Sequence, residues 1–438
     1  MKIGIILGTR PEIIKMSPII DEIIKQNEEL LLIHTGQHYD SNMSNNIFDD
    51  LNLPKPTFNL HVGSGTHGTQ TSLMIQKIEK ILLEEKPDVV LVQGDTNAVI
   101  SGALVCAKLH IPLGHVEAGL RSYDNTMPEE INRKVADICS TMFFVPTEES
   151  GLNLLNENIS RKDIYITGNT IVDTCFRNLK IAENTYDESL EKIEQMNNKI
   201  MLTVHRAETV DNKERLKNII ESIIQLKEYN IIFPVHPRTL KKLKEFDLYK
   251  LIEFREHIHI IPPLSYLKFL KIMNKSKLIL TDSGGLQEEA ITLNIPVLTL
   301  RNNTERPETV KSGGNILVGN DKEKIIKYSL KILKNEEFNN KMKNTKNPYG
   351  DGTSAKQIIE IIKNKYDKHT LKIESPTDIS REYTIMLKNI EENINVLDYE
   401  KKYNTIIKSI FKDETLLYPY DNTNLKNSVI ICKKEIKE

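Results

Sequence analysis

Acidic residues lie on both sides of a turn in the segment His115–Arg133, which reads HVEAGLRSYDNTMPEEINR. Glu117 follows a short apolar run that predicts a buried strand, and the pair Glu129 and Glu130 follows Pro128 at a predicted helix start. Open α/β sheets bind their ligands at the carboxyl edge of the strands, where Glu117 would lie. Acid–base chemistry on a carbon acid needs carboxylates held near one another in unlike environments. The segment predicts such a site, although an ordinary strand–loop–helix connection with a capped helix has the same pattern.

Two other strand ends carry side chains suited to this chemistry. Asp95 follows the apolar run that ends at Gln93, where it could act on a ligand or cap the next helix. His205 follows a predicted strand within TVHRAE, and its imidazole could contact a phosphate or a departing oxygen. The alternative for His205 is a structural histidine at a strand end.

The segment TDSGGLQEE at 281–289 is the strongest phosphate-binding pattern in the chain. A predicted strand runs into Ser283, Gly284 and Gly285, and a helix is expected to follow. Glycines let backbone amides approach an anion closely, and the positive end of a helix dipole attracts negative charge. Glu289 lies one turn into this helix, where it is placed to accept hydrogen bonds from ribose hydroxyls.

Three cations lie in comparable places. Arg10 and Lys15 follow the first predicted strand at the start of a helix, and they favour phosphate contact over a solvated turn. Arg306 follows a later strand and could pair with a pyrophosphate, or belong to a surface ion-pair loop that adds little stability. The single glycine of GTRPE is not the G-x-G-x-x-G fingerprint, so no nicotinamide cofactor is predicted.

Composition and charge narrow the function classes. The 438 residues carry a formal net charge of −2, which gives no overall nucleic-acid footprint. The N-terminal apolar run is too short for a signal-peptide core or a membrane span, and the four cysteines form no CxxC pair. No histidine or cysteine cluster has metal-ligand spacing. We expect a cytoplasmic protein with no metal, cofactor, nucleic-acid partner or membrane partner.

Short apolar runs alternate with helical patterns along most of the chain, which predicts βαβ units and parallel sheets. Polar residues do not alternate with apolar ones in these runs, which is typical of strands that are covered on both faces. The predicted strands are residues 2–7, 30–34, 88–92, 113–116, 142–145, 163–167, 200–204, 231–235, 258–261, 278–281 and 297–300.

We therefore expect an α/β protein with two Rossmann-like doubly wound domains, residues 1–180 and 181–368, that face each other across a cleft. Residues 369–438 change in character and form a C-terminal appendage. The appendage is expected to be helical or partly mobile, because residues 380–411 fit two amphipathic helices.

Together these motifs resemble the non-hydrolysing UDP-N-acetylglucosamine 2-epimerases. The matching segments lie in collinear order over nearly all of residues 1–365, and as a set they are highly specific. Residues 370–438 have no counterpart that the resemblance places. The segments are GTRPEIIKMSPII at 8–20, QGDTN at 93–97, HVEAGLRS at 115–122, MPEEINR at 127–133, FVPTE at 144–148, GNTIVD at 168–173, TVHR at 203–206, PVHP at 234–237, TDSGGLQEEA at 281–290, PVLTLRNNTERPE at 296–308 and PYGDG at 348–352.

The resemblance implies two Rossmann-like domains of GT-B type, a cytoplasmic homodimer, and reversible conversion of UDP-N-acetylglucosamine to UDP-N-acetylmannosamine without a cofactor. In the family, UDP leaves by anti-elimination to give a 2-acetamidoglucal, and its re-addition on the other face inverts carbon 2. By motif position, Asp95, Glu117 and Glu129 are the acid–base carboxylates, with His205 at the departing UDP. Which carboxylate removes the carbon-2 proton stays open.

The same resemblance implies the substrate contacts. Phe269 falls where the family packs on the uracil, and Arg133 is expected to hold the acidic loop. Gln37, His38, Gln70 and His236 fall in stretches similar to those that form a second, activating substrate site in bacterial relatives. The implied UDP contacts are Arg10, Lys15, Arg133, His205, Phe269, Ser283, Gly284, Gly285, Glu289 and Arg306.

Three other functions stay open at this point. The same reaction on UDP-2,3-diacetamido-2,3-dideoxyglucuronate would need an extra cation for the sugar carboxylate. A GT-B glycosyltransferase would need a separate acceptor and would not exchange the hydrogen on carbon 2. A non-catalytic nucleotide-sugar sensor is disfavoured by the intact Asp95, Glu117 and Glu129.

Overall fold

The computed structural model describes residues 1–36, 47–185, 187–373, 383–413 and 415–435. Its contacts divide the chain into two compact units. The first unit comprises Met1–Thr170 together with Thr353–Glu438, and the second comprises Ile171–Gly352. This division groups the segment that begins at Thr353 with the N-terminal part of the chain. The sequence-based boundaries, which are 1–180, 181–368 and 369–438, remain a proposal.

The first unit is built on a parallel sheet. Its strands are β1 Lys2–Leu7, β2 Glu29–His34, β3 Phe58–Asn59, β4 Val89–Gln93, β5 Leu113–Val116, β6 Met142–Val145 and β7 Ile164–Ile166. They form one seven-stranded sheet in the order β3-β2-β1-β4-β5-β6-β7. The strand β4 reads VVLVQ and is buried along its whole length, as expected for a strand that helices cover on both faces.

Helices connect these strands, and threonines begin several of them. Thr9 forms a capping box with Glu12, and the side chains of Thr66, Thr96 and Thr147 accept hydrogen bonds from backbone amides of the helices that they precede. The helices of the first unit outside the C-terminal extension are Arg10–Lys25, His67–Glu85, Asn97–Leu109, Pro128–Cys139, Glu148–Asn156 and Ser354–Asp367.

The second unit has its own parallel sheet. Its strands are β8 Lys199–Thr203, β9 Asn230–Pro234, β10 Ile258–Ile261, β11 Leu278–Thr281, β12 Val297–Thr299 and β13 Asn315–Leu317. They stand in the order β10-β9-β8-β11-β12-β13. The helices are Thr170–Glu183, which begins at the unit boundary, and Glu191–Gln195, Ala207–Val210, Lys213–Gln225, Pro237–Glu245, Tyr266–Asn274, Gly284–Thr292, Pro307–Lys311, Lys322–Lys334 and Glu336–Lys343.

Each parallel sheet reverses its strand order at one point. In the first sheet β1 lies beside β4, and in the second β8 lies beside β11. Loops diverge from such a switch point and leave a crevice at the carboxyl ends of the strands, where open α/β sheets bind ligands. The segments that begin at Gly8, Gly94, Val204 and Asp282 follow these four strands. These are the segments that the sequence marks for chemistry.

The strands expected from apolar runs are all present, within about one residue at each end. The short strands β3 and β13, of two and three residues, were not predicted because so few residues show no pattern. Within the described ranges, no helix is both long and apolar enough to span a membrane.

The C-terminal extension, residues 383–435, contradicts the expectation of a helical appendage. It forms an antiparallel sheet of β14 Tyr383–Ile390, β15 Ile406–Lys412, β16 Thr415–Leu417 and β17 Ser428–Glu435, in the order β14-β17-β15-β16, with one helix, Val396–Tyr403. A register shift between Ile407 and Ser409 interrupts the alternation of β15. This bulge obscures the period of two in β15, and the helix Val396–Tyr403 is the described part of residues 380–411 that is helical as expected.

Candidate functional site

Glu117 stands just after β5 with its side chain buried among polar groups. The Lys15 Nζ lies 2.5 Å from Glu117 Oε1, Asn169 Nδ2 donates to the same oxygen at 2.9 Å, and Gln93 Nε2 donates to Oε2. The Glu117 backbone has a φ of +67°, in the left-handed region that costs a residue with a Cβ about 1–2 kcal/mol. Strain of this kind persists where the surroundings impose it, and it is typical of functional sites.

Arg133 holds the second carboxylate, Asp95. The Arg133 NH2 group lies 2.5 Å from Asp95 Oδ2, and its NH1 group lies 3.0 Å from Glu130 Oε2. Asn132 Nδ2 also donates to the Asp95 backbone carbonyl at 2.9 Å. The Asp95 side chain keeps 29% of its surface exposed, so the carboxylate is fixed in place and still accessible to a ligand.

Glu130 is the buried acid of the helix Pro128–Cys139, and the sequence pattern alone does not distinguish it from Glu129. Its Oε2 accepts hydrogen bonds from Ser122 N and Oγ at 2.9 and 3.0 Å, and its Oε1 accepts one from Tyr123 N at 3.2 Å. Burial alone would raise the pKa of Glu130, but these bonds and the Arg133 guanidinium outweigh it and lower the pKa. Glu129, by contrast, is exposed.

His115 lies within β5 and is fully buried. Its Nε2 is 2.8 Å from the carbonyl of Gly94, and its Nδ1 is 2.7 Å from Asp137 Oδ1. Both partners are hydrogen-bond acceptors, so this environment favours a proton on each ring nitrogen. Burial would lower the pKa of His115, but the Asp137 carboxylate raises it. Asp137 Oδ2 in turn accepts from Gly119 N at 3.3 Å, which links the turns after β4 and β5.

Glu12 is a second buried acid that the sequence did not single out as a site residue. Its Oε2 accepts from the amides of Gly8 and Thr9 at 3.0 and 2.7 Å, and its Oε1 accepts from Thr96 Oγ1 at 2.8 Å. These bonds join the turn after β1 to the turn after β4, on the two sides of the switch point. Burial raises the pKa of Glu12 to about 6. Arg10, in the same turn, is exposed.

In the second unit, a buried Asp282 organises the segment after β8. Its Oδ2 accepts hydrogen bonds from the backbone amides of His205 and Arg206 at 2.9 Å each. The His205 Nδ1 lies 3.0 Å from Asp282 Oδ1, while the imidazole keeps 40% of its surface exposed. Asp282 therefore orients His205, and it lies next to the predicted phosphate loop.

The predicted phosphate loop follows β11 and leads into a helix. Ser283 occupies the N-cap position of the helix Gly284–Thr292, which starts slightly earlier than the sequence suggested. A Cβ placed on Gly285 would meet no atom within 4 Å, whereas a Cβ on Gly284 would lie 3.6 Å from the Glu305 carboxylate, so the space is open beside Gly285. The amides of the first helical turn lack partners within the helix, which makes such a start an anion site.

Arg306 precedes the helix Pro307–Lys311 and is held by a buried acid. Its Nε lies 2.5 Å from Glu288 Oε1, and Glu288 is only 1% exposed. Thr304 Oγ1 accepts from Arg306 N at 3.0 Å and donates to Gln287 Oε1 at 2.6 Å. Arg306 is therefore tied to the helix of the phosphate loop, and its guanidinium is fixed near that loop.

Two other predicted contacts lie in the second unit. Glu289 is 7% exposed on the phosphate-loop helix. Burial, together with the negative charge of Glu289, raises the pKa of Tyr266 well above its ordinary value. Phe269 lies on the helix Tyr266–Asn274 and packs, partly buried, against the core of the unit.

The residues expected to form a second substrate site are only partly described. Gln37 and His38 lie outside the described residues. Gln70 is buried, donates to Gly63 O at 2.9 Å and accepts from Asn97 at 3.0 Å. His236 is exposed at the start of the helix Pro237–Glu245, with its ring 6.1 Å from that of His205. No group of three or more metal-binding side chains was found in the described part of the chain.

Comparison with known proteins adds a family match. A family model described as UDP-N-acetylglucosamine 2-epimerase matches residues 21–363. The chain is 54% identical over 372 residues to the UDP-N-acetylglucosamine 2-epimerase of Methanocaldococcus jannaschii, an alignment that covers 83% of this chain and 99% of that protein. A Pseudomonas aeruginosa UDP-2,3-diacetamido-2,3-dideoxy-D-glucuronate 2-epimerase is 37% identical over 367 residues, with 83% and 99% covered.

Solved structures agree in fold. A crystal structure of the Methanocaldococcus jannaschii UDP-GlcNAc 2-epimerase in complex with UDP-GlcNAc and UDP superposes with a TM-score of 0.70 at 53% identity. The match covers 83% of this chain and 100% of that one. The present chain therefore has the fold of that epimerase.

Proposed function

The chain belongs to the UDP-N-acetylglucosamine 2-epimerase family, and we propose from this premise that it interconverts UDP-N-acetylglucosamine and UDP-N-acetylmannosamine by inversion at carbon 2. The observation that carries the proposal is the pair of held carboxylates, Glu117 with Lys15 and Asp95 with Arg133. Both lie at the carboxyl edge of the first sheet, in a chain that also has a phosphate loop at the equivalent edge of the second. An elimination needs both acid–base groups and a bound leaving group.

The second unit supplies most of the nucleotide contacts in this proposal. Backbone amides at Ser283, Gly284 and Gly285 bind the diphosphate, with further contacts from the His205 imidazole and the Arg306 guanidinium. The remaining UDP contacts are Glu289 at the ribose, Phe269 at the uracil, and Arg10, Lys15 and Arg133 from the first unit. The open space over Gly285 and the exposed imidazole of His205 support this assignment.

The chemical step follows from these groups. A carboxylate among Asp95, Glu117 and Glu129 removes the proton from carbon 2, the bond from carbon 1 to the phosphate oxygen breaks, and UDP leaves with the electron pair. His205, arginine and backbone amides stabilise the charge on the departing phosphate. UDP then adds back to the 2-acetamidoglucal while carbon 2 receives a proton on its other face. The Lys15 ammonium favours the ionised form of Glu117, which suits a proton acceptor.

We also propose that the enzyme is a cytoplasmic homodimer. Ile131 and Ile138 are 45% and 78% exposed, and their spacing along the helix Pro128–Cys139 puts them on one face. Apolar side chains exposed together mark interfaces between subunits. All four cysteines are free thiols, as is usual in a reducing compartment.

A second activating substrate site stays a proposal for Gln70 and His236, together with Gln37 and His38. It predicts a sigmoidal dependence of rate on substrate, and a lag when UDP-N-acetylmannosamine is the sole substrate. A hyperbolic curve without a lag would rule the site out.

The competing substrate is UDP-2,3-diacetamido-2,3-dideoxyglucuronate, which is favoured by the Pseudomonas aeruginosa relative of that name. One experiment distinguishes between the two substrates. Purified protein is incubated in deuterated water with each UDP-sugar in turn and followed by NMR. We expect UDP-N-acetylmannosamine with deuterium at carbon 2 from UDP-N-acetylglucosamine. Turnover of the diacetamido sugar alone would favour the alternative, and free N-acetylmannosamine as main product would point to a hydrolysing enzyme.

A further inference from the structure

The helix Glu148–Asn156, here called the bracing helix, carries the C-terminal extension on one side. Tyr418 of the extension is 5% exposed and packs in a cluster with Ala118 and Leu152. A Cβ on Gly151 of the bracing helix would come within 2.8 Å of the Tyr418 ring. The ring therefore lies directly on the helix backbone.

The extension also holds both ends of the bracing helix. Tyr420 Oη donates to Glu148 Oε1 at 2.8 Å at the first turn, and Lys408 Nζ donates to the carbonyl of Leu155 at 3.3 Å at the last. A cation at a helix C-terminus is favourable because of the helix dipole. Beyond the helix, Arg161 lies 2.5 Å from Glu400 and 2.5 Å from Asp421, both in the extension.

The bracing helix also supports the loop that follows Glu117. Gly119 has a φ of +75°, and a Cβ there would lie 2.2 Å from Ser150 O, so only glycine fits. Asn153 Nδ2 donates to Gly119 O at 2.9 Å, and Asn153 Oδ1 accepts from Tyr123 Oη at 2.6 Å. The turn that carries Glu117 is thus packed against the backbone of this helix.

We propose that Tyr418 is a positioning residue for the epimerase reaction. It fixes the bracing helix against the Gly119 turn and so helps to impose the left-handed backbone of Glu117. This inference rests on the proposed function, because the position of Glu117 matters only if its carboxylate acts on the substrate.

The extension lies outside the region shared with the family. The family model ends at residue 363, and 83% of this chain already matches 99% of the Methanocaldococcus jannaschii relative. The extension therefore contributes a contact to the bracing helix, which supports the loop that carries Glu117. We infer that turnover in this enzyme depends on a segment that the relative lacks.

The test uses the full-length enzyme and two substitutions, one that removes a large side chain and one that adds a methyl group. Tyr418→Ala removes the ring, and Gly151→Ala forces a methyl group against it. Each is expected to lower kcat by about tenfold or more, because a misplacement of about 1 Å can cost about 100-fold. KM and the dissociation constant of UDP should stay near the wild-type values. The double variant should lose no more kcat than Tyr418→Ala alone, because the clash of the new methyl group is relieved once the ring is absent.

Two controls separate positioning from general destabilisation. Tyr418→Phe keeps the ring, and Leu416→Ala truncates an apolar side chain that is 45% exposed in the same extension. Both should keep the wild-type kcat. Tyr418→Leu replaces the alanine variant if the latter does not fold.

The outcomes distinguish the inference from the proposed function. A wild-type enzyme that does not exchange the hydrogen on carbon 2 contradicts the proposed function. An active wild type with an unchanged kcat in Tyr418→Ala and Gly151→Ala overturns the inference alone. A loss of kcat that comes with weaker UDP binding and a lower Tm, and with additive losses in the double variant, would also overturn it, since these would indicate a purely structural contact.

Discussion

The Lys15 ammonium and the Glu117 carboxylate form an ion pair of 2.5 Å in which the side chains are only 15% and 5% exposed. Lys15 comes from the helix after β1, and Glu117 follows β5, so the pair connects two segments at the ligand edge of one sheet. A buried charge that loses its partner is costly, by about 3–5 kcal/mol. The pair therefore fixes both the position and the charge of Glu117.

Replacing Lys15 by methionine should lower kcat by about 100-fold or more, a loss typical of removing a charge that stabilises the reacting groups. The side-chain length is kept, so the effect reports the ammonium group. Initial rates with UDP-N-acetylglucosamine measure it. Lys25→Met is the matched control, because Lys25 lies on the same helix with 71% of its side chain exposed. Similar rates for the two variants would refute the role of Lys15.

The buried Glu12 makes stability depend on pH. Its pKa is raised from 4.5 to about 6, so the folded protein binds this proton more tightly than the unfolded chain. The contribution of Glu12 to the free energy of unfolding should therefore fall as the pH rises from about 4.5 through 6, by about 2 kcal/mol. Urea denaturation of wild type and Glu12→Gln across this range isolates the effect. A difference in the free energy of unfolding between the two proteins that does not change with pH would contradict the raised pKa of Glu12.

Glu130→Gln should destabilise the fold by about 1–3 kcal/mol, because it weakens hydrogen bonds to Ser122 and removes the charge that faces Arg133. It should also lower kcat, since Arg133 holds Asp95. Chemical denaturation measures the first effect and steady-state kinetics the second. Glu84→Gln, at an exposed position, should change stability by less than about 0.5 kcal/mol.

Asp282→Asn should weaken UDP binding by about tenfold, because a neutral amide cannot hold the two backbone amides and the imidazole of His205 as the carboxylate does. Isothermal titration with UDP measures the dissociation constant. Asp321→Asn is the control. Asp321 caps the helix Lys322–Lys334 of the same unit, and this change should leave UDP binding unchanged. Unchanged binding in Asp282→Asn would mean that His205 does not need this support.

The sequence predicted the parallel sheets because their strands are unbroken apolar runs, as in β4 and β11. It also marked Asp95, Glu117 and Ser283, since each lies within two residues of the end of such a run. Position after a strand needs no knowledge of side-chain direction, which is why these residues could be found.

Other features depend on side-chain direction or on distant contacts. Glu129 and Glu130 are adjacent in the sequence, and only the rotation of their helix makes Glu130 the buried one. Asp282 and His115 gain their importance from partners far along the chain. The one signal in the sequence for such a network was a polar residue within a buried apolar run, as His115 is.

The left-handed backbone at Glu117 is a strain that substitution at this position cannot convert into heat tolerance. Glycine would adopt this conformation without strain, but it would deprive the buried Lys15 ammonium of the Glu117 carboxylate, which costs about 3–5 kcal/mol, whereas the strain that it removes is about 1–2 kcal/mol. Engineering this protein for higher temperatures is best done with this codon held invariant.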